Sequence, residues 1–123
     1  MKRIIALVLI VAMALTLSGC GVPNGFTKNT YKITKEAISV LNNVADGKIG
    51  TAAAVIQLSD LYEALEPEIA ALTDEDERSN AVNVLHSLGA TIYIIDKANF
   101  QVSDKDMMRI RNTANSLEWL LKG

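Results

Sequence analysis

The chain of 123 residues contains one cysteine, one histidine, one tryptophan and two prolines. A single cysteine excludes an internal disulfide and any zinc site built on several thiolates. A single histidine, His86, leaves no H-E-x-x-H pair. Neither a G-x-G-x-x-G turn nor a P-loop occurs anywhere in the chain. Basic residues do not outnumber acidic ones: 12 stand against 14, for a net charge of −2. The chain therefore lacks the electrostatic footprint of a general nucleic-acid binder. Six aromatic side chains are too few for a carboxylate-lined sugar cleft. The length allows one domain and no second. These absences predict a protein that is not an enzyme and carries no catalytic residues, cofactor or metal.

Long apolar runs are also scarce, and the one present is informative. Lys2 and Arg3 precede the apolar stretch Ile4–Leu17. As a helix these 14 residues reach about 21 Å, short of a bilayer core of about 30 Å. Basic start, short apolar run and the following small residues have the layout of an export signal rather than a membrane span. Next comes Leu17-Ser18-Gly19-Cys20: an aliphatic residue, two small residues, then the chain's sole cysteine. This segment resembles the lipobox of bacterial lipoproteins, a resemblance confined to residues 1–20. It implies a diacylglyceryl thioether on Cys20 and cleavage by signal peptidase II after Gly19, with Leu17, Ser18 and Gly19 as its recognition residues. Two or three acyl chains make a durable anchor where one gives only marginal binding. Gly21, in place of Asp, implies the outer membrane in a Gram-negative host. In a Gram-positive host it implies the outer leaflet of the cytoplasmic membrane.

The expected organisation is a signal peptide over 1–19, a lipidated cysteine and flexible tether over 20–29, and a helical domain over 30–123. Residues 21–29, GVPNGFTKN, carry loop chemistry and no helical period. Without residues 1–19, ten bases and fourteen acids remain.

The rest of the chain repeats its apolar positions at 3.6 rather than 2. A first segment, Thr30 to Ala45, aligns Ile33, Ala37, Val40 or Leu41, and Val44. Asp46-Gly47 ends it, with Gly47 suited to left-handed geometry. A second segment, Thr51 to Leu72, aligns Ala54, Leu58, Leu61, Leu65, Ile69 and Leu72. Pro67 inside it predicts a kink or brief break near residues 63–66. The third starts at the capping box Thr73-Asp74-Glu75-Asp76 and aligns Ala81, Leu85, Leu88, Ile92 and Ile95. Gly89 inside it predicts close helix approach. The fourth starts at a second capping box, Ser103-Asp104-Lys105-Asp106, and aligns Met107, Ile110, Ala114, Leu117 and Leu121, with Trp119 beside the stripe. Short links favour antiparallel neighbours. The predicted fold is all-α: a small up-and-down bundle of about four helices after a cleaved signal peptide, with the first helix shortest.

Other features read as ordinary structure. Asp46-Gly47 resembles the middle of a calcium loop, but the register puts Val44 and Ala53 where carboxylates are needed. Lys28, Lys32 and Lys35 read as a solvated face more readily than as a lipid contact. The eight acids from Asp60 to Glu77, with no base among them, read as helix surface and cap. Tyr31, Tyr62 and Tyr93 recur at a spacing of 31 but lack the further identity of a true repeat. The expected role is an accessory or protein-interaction module held to a membrane by its lipid. The alternatives are an apolar ligand or lipid between the helices, near Ala52–Ala54, Gly89 and Met107–Met108, or an inhibitor or immunity-type lipoprotein.

Overall fold

The computed structural model describes residues 22–122. Four helices follow one another: α1 Lys28–Ala45, α2 Thr51–Ala71, α3 Glu75–Lys97 and α4 Asp104–Lys122. The described residues contain no strand, and the fold is the expected all-α bundle of four helices. α1 packs chiefly on α4 and α2, and α2 packs on α3. The sequential pair α3 and α4 touches least among neighbours. At 18 residues α1 is the shortest helix, one fewer than α4.

α1, α2 and α4 bury most of the stripe that their sequences prescribe. Ile33, Ala37, Val40, Leu41 and Val44 are all buried on α1, so the choice between Val40 and Leu41 resolves to both. Ala54, Leu58, Leu61 and Leu65 are buried on α2, and Leu72 closes the core just past its end. On α4 the buried residues are Ile110, Ala114 and Leu117, while Met107 and Leu121 pack at the margin. The stripe of α3 is turned from the predicted one. Val84 and Thr91 join Ala81, Leu88 and Ile95 inside, and Leu85 and Ile92 lie half-buried. Thr91 enters the core because its hydroxyl donates to the Ser87 carbonyl 3.0 Å away on its own helix. Thr34 does the same to the Thr30 carbonyl at 2.7 Å. No described buried side-chain polar atom is left unpaired.

The helix ends follow from local chemistry. Thr27 caps α1, its hydroxyl accepting from the Thr30 amide at 3.1 Å. Ser103 caps α4 through the Asp106 amide at 3.2 Å, as its box predicts. The cap of α3 is Asp74 rather than Thr73, its carboxylate accepting from the Glu77 amide at 3.0 Å. A carboxylate at the N-cap also meets the positive end of the helix dipole, which favours Asp74 over the hydroxyl one position earlier. Gly47, at φ +74°, ends α1 as expected. Lys48 N–H reaches the Asn43 carbonyl and Gly47 N–H the Val44 carbonyl, the paired bonds of a Schellman turn. α3 ends in the same pair of bonds, with Asn99 in the left-handed position and Phe100 after it at φ +63°.

Of the kink or brief break expected near residues 63–66, no break occurs: α2 runs continuously through Pro67. The proline stands near the C-terminal end, where few later turns depend on the lost hydrogen bond. The segment before α1 is not a free tether from Val22 onward. Phe26 is 6 % exposed and belongs to the core, Val22 packs against that core, and α1 begins two residues earlier than predicted. The Gly25 carbonyl accepts a 2.8 Å hydrogen bond from the Asn80 side chain on α3.

Candidate functional site

Leu17, Ser18, Gly19 and Cys20 lie outside the described residues. What the structure does place is the end of the bundle from which they lead. Asn29, at the start of α1, donates 3.0 Å to Glu68 near the end of α2. Gly25 meets Asn80 in the first turns of α3. Tyr31, Lys35 and Ile38 of α1 line one shallow groove of about 390 Å³ with Glu118, Leu121 and Lys122 of α4. The starts of α1 and α3 and the finishes of α2 and α4 thus share one end.

That end is divided by charge. On the α1–α4 side stand Lys28, Lys32, Lys35 and Lys122, with Glu36 and Glu118 as the acids. The Lys35 ammonium lies 5.7 Å from the centre of the Tyr31 ring, within reach of a cation–π contact. The Glu36 carboxyl is half-buried and held above the ordinary carboxylate range. Burial raises it more than the nearby Lys32 charge lowers it. On the α2–α3 side stand Glu66, Glu68 and the run Asp74–Glu77, with Arg78 as the adjacent base. Arg78 is engaged locally, donating 2.6 Å to the Leu72 carbonyl where α2 stops.

Trp119 is the residue that sequence reasoning misplaced. It was expected beside the core stripe of α4, and it is 75 % exposed. Helical geometry contained the signal: Trp119 is two positions from both Leu117 and Leu121, about half a turn off the stripe. It is also three positions from Lys122, and so its neighbour on the helix surface. Met108, Tyr93 and Ile56 are large apolar side chains exposed elsewhere, on α4, α3 and α2.

The remaining candidates are not brought together. His86 is exposed on α3. No described group of three or more His, Cys, Asp or Glu residues is arranged to hold a metal ion. Asp46 pairs with Arg111 of α4. That hydrogen bond holds the Asp46 carboxyl below its usual range and ties the α1–α2 turn to α4. The residues proposed to leave space for a ligand diverge: Ala52, Ala53 and Met108 are exposed, whereas Ala54 is fully buried. Gly89 does face another helix, with the Tyr62 ring 3.4 Å from where a Cβ would sit, so an alanine fits there. Tyr31 and Tyr62 are half-buried and Tyr93 is exposed, which are not the equivalent settings of a structural repeat.

No described helix is long and apolar enough to cross a membrane. Comparison with known proteins gives no match to a protein family, a curated protein or a solved structure.

Proposed function

We propose that the chain is a bacterial lipoprotein, anchored through Cys20 on the extracytoplasmic face of a membrane, whose helical bundle acts as a non-enzymatic accessory or protein-interaction module. The observation that carries this reading is the order Lys2-Arg3, Ile4–Leu17, Leu17-Ser18-Gly19-Cys20, with the chain's sole cysteine at the position a lipobox requires. The interaction role draws support from large apolar side chains turned outward on three helices.

Growth with an alkyne fatty acid tests the anchor. The full chain should take up label, and its intact mass should show loss of residues 1–19 with acyl groups added at Cys20. Label retained by Cys20→Ser, or a native polypeptide starting at an unmodified Met1, would remove the reading. The interaction role is tested by affinity capture of the anchored form from solubilised membrane. Failure to recover one reproducible partner would count against it.

A further inference from the structure

The reading of Cys20 as the lipid-bearing residue leaves open how the bundle sits on its membrane. The structure constrains the answer. Val22 already packs on the core, and Phe26 is buried in it. Cys20 is two residues from Val22, a reach of about 7 Å for an extended chain. An acylated Cys20 therefore holds the lysine-bearing end of the bundle at headgroup level, with no long tether to keep it away.

Resting on that reading, we infer that the outer face of α1 and α4 at this end lies against an anionic bilayer, with Trp119 in the interface and the lysines on the headgroups. Three observations converge. First, Lys35 and Lys122 line one groove from opposite helices, and Lys28 and Lys32 continue the positive face along α1. Lysine stems lie along apolar surface while their ammonium groups reach phosphate. Second, Trp119 is three-quarters exposed beside Lys122, and the half-buried Tyr31 lies across the groove. Indole and phenol rings favour the boundary between acyl chains and water, where the apolar body and the polar tip are both satisfied. Third, the acids from Glu66 to Glu77 belong to α2 and α3 rather than to the α1–α4 face, with Glu68 held by Asn29 at the start of α1 and Asp76 beside Gly25. An anionic surface attracts one side and repels the other, so the anchored bundle leans in one direction. Glu118 lines the groove as well and faces the lysines that flank it.

The chain's single tryptophan is the probe. The full, acylated protein is reconstituted into vesicles of phosphatidylcholine alone or mixed equally with phosphatidylglycerol. Trp119 emission should shift to the blue in the mixed vesicles. Quenching by aqueous acrylamide should fall by about two-fold or more, as lysine contacts with anionic lipid hold the ring in the interface. Acyl chains carrying bromine should quench it. Lys28→Glu, Lys32→Glu and Lys35→Glu combined, or 1 M salt with the wild-type chain, should return Trp119 to water while the protein still floats with the vesicles. Trp119 equally open to acrylamide in both vesicle types, on protein that floats, would overturn the inference and leave the anchor standing. Shielding that is the same in both lipids and indifferent to bromine would also overturn it, assigning the face to a second copy or another protein. Protein that neither floats nor carries added mass at Cys20 would overturn the anchor, and the inference with it.

Discussion

The Asn80 side chain donates to the Gly25 carbonyl across a sequence separation of 55 residues, pinning the chain ahead of α1 to α3. Gly25 has φ +85°, and a Cβ there would stand 2.6 Å from the Asn80 amide nitrogen. Gly25→Ala therefore meets both backbone strain and a clash, and should cost about 1–2 kcal/mol. Asn80→Ala should cost about 1 kcal/mol for a part-buried hydrogen bond. Phe26→Ala should cost about 3–5 kcal/mol, the usual loss for a buried aromatic ring. Urea unfolding of residues 21–123 measures all three. A Phe26→Ala loss below about 1 kcal/mol would mean that the strap does not belong to the core.

Gly89 offers the opposite case. Its backbone is helical, and the Tyr62 ring leaves ordinary contact distance for a methyl group. Gly89→Ala should stabilise the protein by about 0.5–1 kcal/mol through helix propensity. A lower urea midpoint for Gly89→Ala would show that α2 and α3 approach more closely than this geometry allows.

The start of α3 can be tested by a pair of substitutions. Asp74 supplies the cap to the Glu77 amide, so Asp74→Ala should cost about 1 kcal/mol. Thr73 is exposed, and Thr73→Ala should change stability by less than about 0.5 kcal/mol. Equal losses at the two positions would place the cap at Thr73.

Two carboxyls shift in opposite directions and give opposite signs. Glu36 is raised above its ordinary value of 4.5, chiefly by burial. Its ionisation therefore weakens the fold as pH rises from 4.5 through the folded-state value, and has no effect where both states are protonated. Glu36→Gln should raise the thermal midpoint at pH 7 and leave it unchanged near about pH 3.5. Asp46 is lowered from 3.8, chiefly by its hydrogen bond from Arg111. Its contribution is present above 3.8 and fades as pH falls through the folded-state value. Asp46→Asn should lower the midpoint slightly at pH 7, because the pair lies at the surface, and not at the most acid pH. Thermal scans by circular dichroism from about pH 3 to 8 check both signs.

The helices were legible because each apolar stripe repeats at the helical period, and the ends because Gly47 and Ser103 carry local signals. The rest depended on tertiary neighbours. A stripe fixes the inward direction only to within a fraction of a turn, and the packing of α3 on α2 turned it toward Val84 and Thr91. Residues 22–27 are loop, as VPNGFT implies, but composition cannot reveal that a loop's only aromatic is buried. Trp119 departs for a different reason: its hydrophobicity suggests the stripe, but its register points away from Leu117 and Leu121. The lysines of α1 were visible in sequence, but their partnership with Lys122 needed the pairing of α1 with α4.

The strap also sets an order of assembly. A chain emerging amino-terminus first delivers Gly25 long before Asn80, so the hydrogen bond that pins the strap cannot form until the third helix has arrived. A polypeptide tethered early at one leaflet would wait there, half built, for its own second half to finish the job.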